Sequence, residues 1–108
     1  MAELTLFFAP HTCALAPLIA LEEIGELFDV RLVRLAALEQ LSPAYLQINP
    51  KGKVPTLLVD GAPLTENAVI LNWLNDAYPD AKLLPKAETQ LSRAHQMSDL
   101  VFVGSTLH

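Results

Sequence analysis

A single thiol, Cys13, sits in the stretch Ala9-Pro10-His11-Thr12-Cys13-Ala14-Leu15-Ala16-Pro17, between a short apolar run and a helical pattern. At a helix start, a thiol meets the positive end of the dipole and free N–H groups, which stabilise thiolate over thiol. Cys13 is therefore a candidate nucleophile with the Thr12 hydroxyl beside it, and the competing reading is a small buried hydrophobe. Alanine at position 16 leaves no Cys-x-x-Cys pair and excludes a dithiol reductase cycle within this chain. The second chemically suggestive stretch is Asn49-Pro50-Lys51-Gly52-Lys53-Val54-Pro55-Thr56. Its prolines and glycine cannot continue a helix, and Pro55 stands at the start of a strand, where a missing N–H is tolerated. If the Val54-Pro55 bond is cis, the chain turns sharply. The backbone N–H and C=O of Val54 are then expected to face outward, unpaired, as a rail for a short extended peptide that binds as an added strand. Leu64-Thr65-Glu66-Asn67 follows, opening a helical pattern. Thr or Asn can cap that helix with Glu66 complementing the dipole; alternatively, its N–H groups bind a ligand carboxylate while Glu66 accepts from the ligand's ammonium. Lys53 could pair with a carboxylate, although Lys51 and Lys53 also read as solvated loop residues. His11 and His95 read as surface or satisfied polar residues, and three histidines without ligand spacing make no metal site.

The elements that must position these groups follow from periodicity. Residues 4–8 are short, apolar and β-prone, ending before Pro10. Residues 14–26 carry a broad apolar face against Glu22, Glu23 and Glu26, with Gly25 as a stop and Pro17 placing the helix start near Cys13. Residues 28–35 alternate as a second strand, with Arg31 and Arg34 toward solvent or an edge. Residues 38–48 form a short helical stretch centred on residues 42–46. Residues 56–60 and 62–65 flank Asp60-Gly61, a strong hairpin signal. Residues 68–78 place Ile70, Trp73, Leu74 and Ala77 on one stripe before Pro79. From Glu88 an apolar helical pattern resumes through Leu91, Ala94, Met97, Val101, Gly104 and Leu107 without a terminal cap. The expected fold is α/β: a thioredoxin-like four-stranded mixed sheet in the order β-α-β-α-β-β-α, followed by the first helix of a second, truncated domain, which the resemblance named below implies to be all-helical. The expected boundaries are a first domain over residues 1–79, a linker over 80–87 and the incomplete helical domain over 88–108.

With 108 residues, the chain has material for one compact core. No apolar run is long enough to cross a bilayer, and no basic segment marks a secretory leader, so the expected location is cytoplasmic. A formal net charge of -5 without a basic run argues against nucleic acid or an anionic membrane as the main partner. One cysteine rules out an internal disulfide framework or a Cys-based metal cluster.

Taken together, residues 10–17, 48–55 and 64–71 resemble, in order and spacing, the N-terminal glutathione-binding domain of glutathione transferases. The bacterial beta class, which carries a cysteine at this position, is the nearest resemblance. It implies that glutathione, as cosubstrate without a metal, lies extended with its cysteinyl backbone paired to Val54 beside Pro55. Its γ-glutamyl end would be held by Glu66 and Asn67, its glycyl carboxylate would lie near Lys53, and its sulfur would point at Cys13 and Thr12. It further implies that the terminal segment begins the family's helical domain, with His108 reaching toward the active site, and that the complete protein is a homodimer. Activated thiolate would attack a small electrophile, or Cys13 would form a mixed disulfide with glutathione. The sequence departs from the resemblance at Asn67, where serine or glycine is more usual. It also departs in residues 36–40, where a glutathione-touching lysine has no counterpart. Two further readings stand beside conjugation: a non-catalytic glutathione-binding or dimerisation module on the same fold, and an isomerase or dehalogenase built on the same glutathione site.

Overall fold

The computed structural model describes residues 3–10, 12, 14–83 and 88–106. β1 (Leu4–Phe8) lies inside a four-stranded sheet of order β2-β1-β3-β4, with β2 (Asp29–Leu32) parallel to it and β3 (Thr56–Val59) antiparallel. β4 (Ala62–Thr65) closes the hairpin with β3. Both turn residues, Asp60 (φ 50°) and Gly61 (φ 86°), have the positive φ that a two-residue primed turn requires. This is the thioredoxin-like arrangement anticipated from the pattern of elements.

Alternation along β1 divides the core into two layers. Leu4 and Leu6 pack with Leu57 against Ala20 and Leu21 of α1 (Leu15–Ile24) and Ile70 and Leu74 of α3 (Asn67–Ala77). Phe7 faces the other way, into a smaller cluster with Ala9, Ala14, Val33, Tyr45 and Val54. α1 ends where expected: Gly25 adopts φ 80° and its N–H bonds to the Leu21 carbonyl. β2, at the edge, is exposed along all its residues, including Arg31.

The structure revises the elements between β2 and β3. The second strand stops at Leu32, and residues 38–48 are not one helix. Short 3-10 turns at Leu35–Ala37 and Glu39–Leu41 precede α2 (Pro43–Ile48). Pro43 is the physical cause: it disfavours helical geometry in the residue before it, so Ser42 is extended (ψ 149°) and caps α2 by accepting from the Tyr45 N–H at 3.3 Å. In α3 the buried arc is Asn67, Ala68, Ile70 and Leu74; Ala77 is exposed, and Tyr78 packs at that end with its ring edge-on to Trp73. α4 (Gln90–Thr106) begins after Thr89, whose hydroxyl accepts from the Ser92 N–H at 3.0 Å, and packs on α3. At the start of the anticipated linker, Pro79–Ala81 forms a 3-10 turn, and residues 84–87 lie outside the described residues.

Candidate functional site

Sheet register brings the chemically suggestive stretches to one end of the molecule. Phe7 pairs with Thr56, and Thr56 with Thr65, so these residues stand abreast across β1, β3 and β4. β1 leaves the sheet there, β3 enters it and β4 leaves it. The loop before α1, the Val54-Pro55 dipeptide and the Glu66-Asn67 pair are therefore neighbours, at the carboxyl end of the parallel β1–β2 pair where open α/β sheets place ligands.

In the first loop, the Thr12 hydroxyl donates to the Ala9 carbonyl at 2.6 Å and accepts from the Ala14 N–H at 3.2 Å. The Thr12 carbonyl accepts from the Leu15 N–H at 3.3 Å. Its one hydroxyl proton is thus committed to the loop itself, which gives Thr12 the part of a local brace. Cys13 and His11 lie outside the described residues.

The second loop is built on a buried polar ring. Tyr45 and Asn49 lie four residues apart on one face of α2 and its end, 4% and 2% exposed, with Thr56 fully buried. The Tyr45 hydroxyl donates to the Lys53 carbonyl at 2.6 Å, so at its 2.8 Å contact with Thr56 it must accept. Asn49 Nδ2 donates to the same Lys53 carbonyl (3.0 Å) and to Thr56 Oγ1 (3.2 Å), while its Oδ1 accepts from the Lys51 N–H (3.0 Å). The reverse amide orientation would set two acceptors face to face. Burial raises the Tyr45 pKa above its ordinary 10.0, with the Thr56 and Asn49 side chains opposing in part. Gly52 turns the loop at φ 64°; a Cβ there would lie 3.0 Å from Leu41 Cδ2 and 3.2 Å from the Gln40 carbonyl.

The Val54-Pro55 peptide is cis. Val54 is buried at 8% exposure and is not without a partner. Lys53 is exposed.

At the third stretch, Glu66 holds φ 77° and ψ 129°, a conformation costing a non-glycine residue about 1–3 kcal/mol, and makes no side-chain bond to the helix it precedes. The capping reading expected Thr65 or Asn67 at the helix start; Glu66 occupies that position instead. Its carboxylate meets Lys51 Nζ at 3.2 Å, an exposed ion pair tying the second stretch to the third. Asn67 is buried at 4% exposure. His108 lies outside the described residues, and His95 is exposed. Among the described residues no His, Cys, Asp and Glu cluster could hold a metal.

Sequence reasoning missed Tyr45, Asn49 and Thr56 as supports and Lys51 as the partner of Glu66. The signal that could have found the first two is the four-residue spacing of a tyrosine and an asparagine leading straight into the proline-glycine loop.

The model of the glutathione S-transferase N-terminal domain family matches residues 12–77. Glutathione S-transferase GstA of Escherichia coli O157:H7 is 37% identical over 105 residues, covering 95% of this chain and 52% of that protein. The bacterial beta class glutathione S-transferase of Sphingomonas chungbukensis superposes with a TM-score of 0.78 at 45% identity, over 94% of this chain and 51% of its own. A sphingomonad glutathione S-transferase complexed with glutathione gives a TM-score of 0.77 at 44% identity, over the same 94% and 51%. The chain spans about half the length of the curated relatives it matches.

Proposed function

The chain belongs to the glutathione S-transferase N-terminal domain family, and from that premise we propose that it holds glutathione and, in the complete protein, activates its thiol for transfer. The observation that carries this reading is the row Phe7–Thr56–Thr65, which gathers all three stretches at one end of the sheet. A sphingomonad relative with 44% identity is itself complexed with glutathione, which supports the choice of ligand.

In the proposed complex the tripeptide lies extended past Val54 and Pro55, its cysteinyl carbonyl and N–H taking the Val54 N–H and C=O. The γ-glutamyl ammonium goes to Glu66 and its carboxylate toward the start of α3 at Asn67, where α3's own residues supply no cap from Glu66. Lys53 takes the glycyl carboxylate. The glutathione sulfur faces Cys13, which the start of α1 favours as thiolate. Thr12 serves by bracing the loop that carries Cys13, since its proton is already given to Ala9. His108 is proposed to reach toward the active site.

Two reactions fit this arrangement. In conjugation, the stabilised glutathione thiolate forms a C–S bond with a small electrophile while a leaving group departs with its electron pair or, in addition to a double bond, the displaced π electrons take up a proton. In thiol-disulfide chemistry, the Cys13 thiolate attacks oxidised glutathione, forms the mixed disulfide and releases one glutathione thiolate. The complete protein is proposed to be a cytoplasmic homodimer. Residues 1–79 would form the glutathione domain, 80–87 the linker and 88–108 the opening helix of a helical domain that supplies the electrophile pocket.

Intact mass after incubation with oxidised glutathione tests the site directly. One glutathione adduct on the folded chain, absent from Cys13→Ala, is expected. No adduct until the chain is unfolded would show Cys13 to be a core residue and end the thiol reading. Titration calorimetry should find weak glutathione binding, and chlorodinitrobenzene turnover should be poor; full activity of these 108 residues would contradict the proposed division of labour.

A further inference from the structure

The carbonyl of Lys53 accepts from both the Tyr45 hydroxyl (2.6 Å) and Asn49 Nδ2 (3.0 Å). Both donors are buried, so they approach this carbonyl from the protein's interior. The Lys53–Val54 peptide is not the cis one, and in a planar trans unit the C=O and N–H point in opposite directions. Fixing the Lys53 carbonyl inward therefore fixes the Val54 N–H away from Tyr45. Both donor side chains also bond the Thr56 hydroxyl at the first residue of β3, at 2.8 Å and 3.2 Å.

We propose that Tyr45 is a positioning residue of the glutathione site: with Asn49 it sets the plane of the Lys53–Val54 peptide and so aims the Val54 N–H at the cysteinyl carbonyl of glutathione. This rests on the glutathione reading above. The Val54 N–H need not be idle beforehand, because the ligand's carbonyl takes the place of whatever partner Val54 has. The aim of the N–H matters because a hydrogen bond weakens steeply as its angle falls, so a peptide free to swivel loses most of the benefit of contact. Preset orientation also removes an ordering cost from binding.

The test compares two ligands across three variants of the 108-residue chain. One ligand is glutathione; the other is its isostere with a trans alkene in place of the cysteinyl–glycine amide, which lacks the cysteinyl carbonyl. Tyr45→Phe keeps the ring that packs edge-on to Phe7 at 5.4 Å and deletes only the hydroxyl. It is expected to weaken glutathione about tenfold and the isostere less than about twofold. Thr56→Val removes another member of the ring while leaving both donors on the Lys53 carbonyl; it should lower the melting temperature and leave both affinities within about twofold. Should Tyr45→Phe fold poorly, Tyr45→Phe/Thr56→Val removes both hydroxyls of that contact, and the same ligand-selective loss is expected, since deleting both partners is gentler than stranding one. Equal losses for the two ligands would overturn the positioning role while leaving the glutathione site standing. Failure of the unaltered chain to bind glutathione at all would overturn both.

Discussion

Two supports hold the candidate site, and they are made differently. Beneath the Lys53–Val54 peptide lies a buried ring of neutral groups, Tyr45, Asn49 and Thr56, joined by bonds of 2.6 to 3.2 Å. Across the surface runs one ion pair, Lys51 to Glu66, with side chains 58% and 62% exposed. A buried polar group left without its partner bears its full desolvation cost uncompensated, whereas exposed charges fall back on water. Position is therefore entrusted to the neutral ring. The charged pair remains free to exchange partners with a zwitterionic ligand at little cost.

The comparison breaks most severely at Asn49. Asn49→Ala strips two donors and one acceptor from the ring, and a loss of about 2–4 kcal/mol is expected, seen in thermal denaturation as a fall of roughly 15 °C. A loss below about 1 kcal/mol would mean that water readily replaces the amide. Gly52→Ala comes next. The new methyl meets Leu41 and the Gln40 carbonyl at positive φ, for about 1–3 kcal/mol in denaturant titration.

Alkaline titration sharpens the contrast. Because burial raises the Tyr45 pKa, the folded chain keeps a proton that the unfolded chain gives up. This contribution is fully present below the unfolded value near 10.0 and disappears as pH rises through the folded value. Stability of the native chain should fall more steeply above pH 10 than that of Tyr45→Phe; parallel curves would deny the coupling. Smallest is Lys51→Met, expected to change stability by less than about 1 kcal/mol, with the little it costs vanishing in high salt. A larger, salt-insensitive loss would show the ion pair to be structural after all.

Much of the fold was legible because its signals are local. Gly25 ends α1, Asp60-Gly61 closes the hairpin and the Ile70–Leu74 spacing marks the buried side of α3, each readable within a few residues. Pro43 is equally local, and it divides residues 38–48, anticipated as a short helical stretch, into a 3-10 turn and α2. The second strand was anticipated over residues 28–35, yet pairing with β1 ends at Leu32, opposite Phe8, where β1 itself runs out. At the site, the three stretches were visible as residue types. Which groups meet was not: Lys53 drew attention as a cation, yet its carbonyl is what the ring grips, while Lys51 found Glu66.

The amino-acid sequence alone determined where helices and turns stop, the alternation that sorts side chains between two core layers, and the motifs common to a family of glutathione-binding domains. Tertiary structure alone decided that Tyr45, Asn49 and Thr56 close a ring around the Lys53 carbonyl, that Asn67 is buried and that Glu66 begins α3 in a strained conformation without capping it. The reason is physical. Propensity and periodicity act over one or two turns of chain, whereas partners for buried polar groups are selected by sheet register, which sets Thr56 between Phe7 and Thr65.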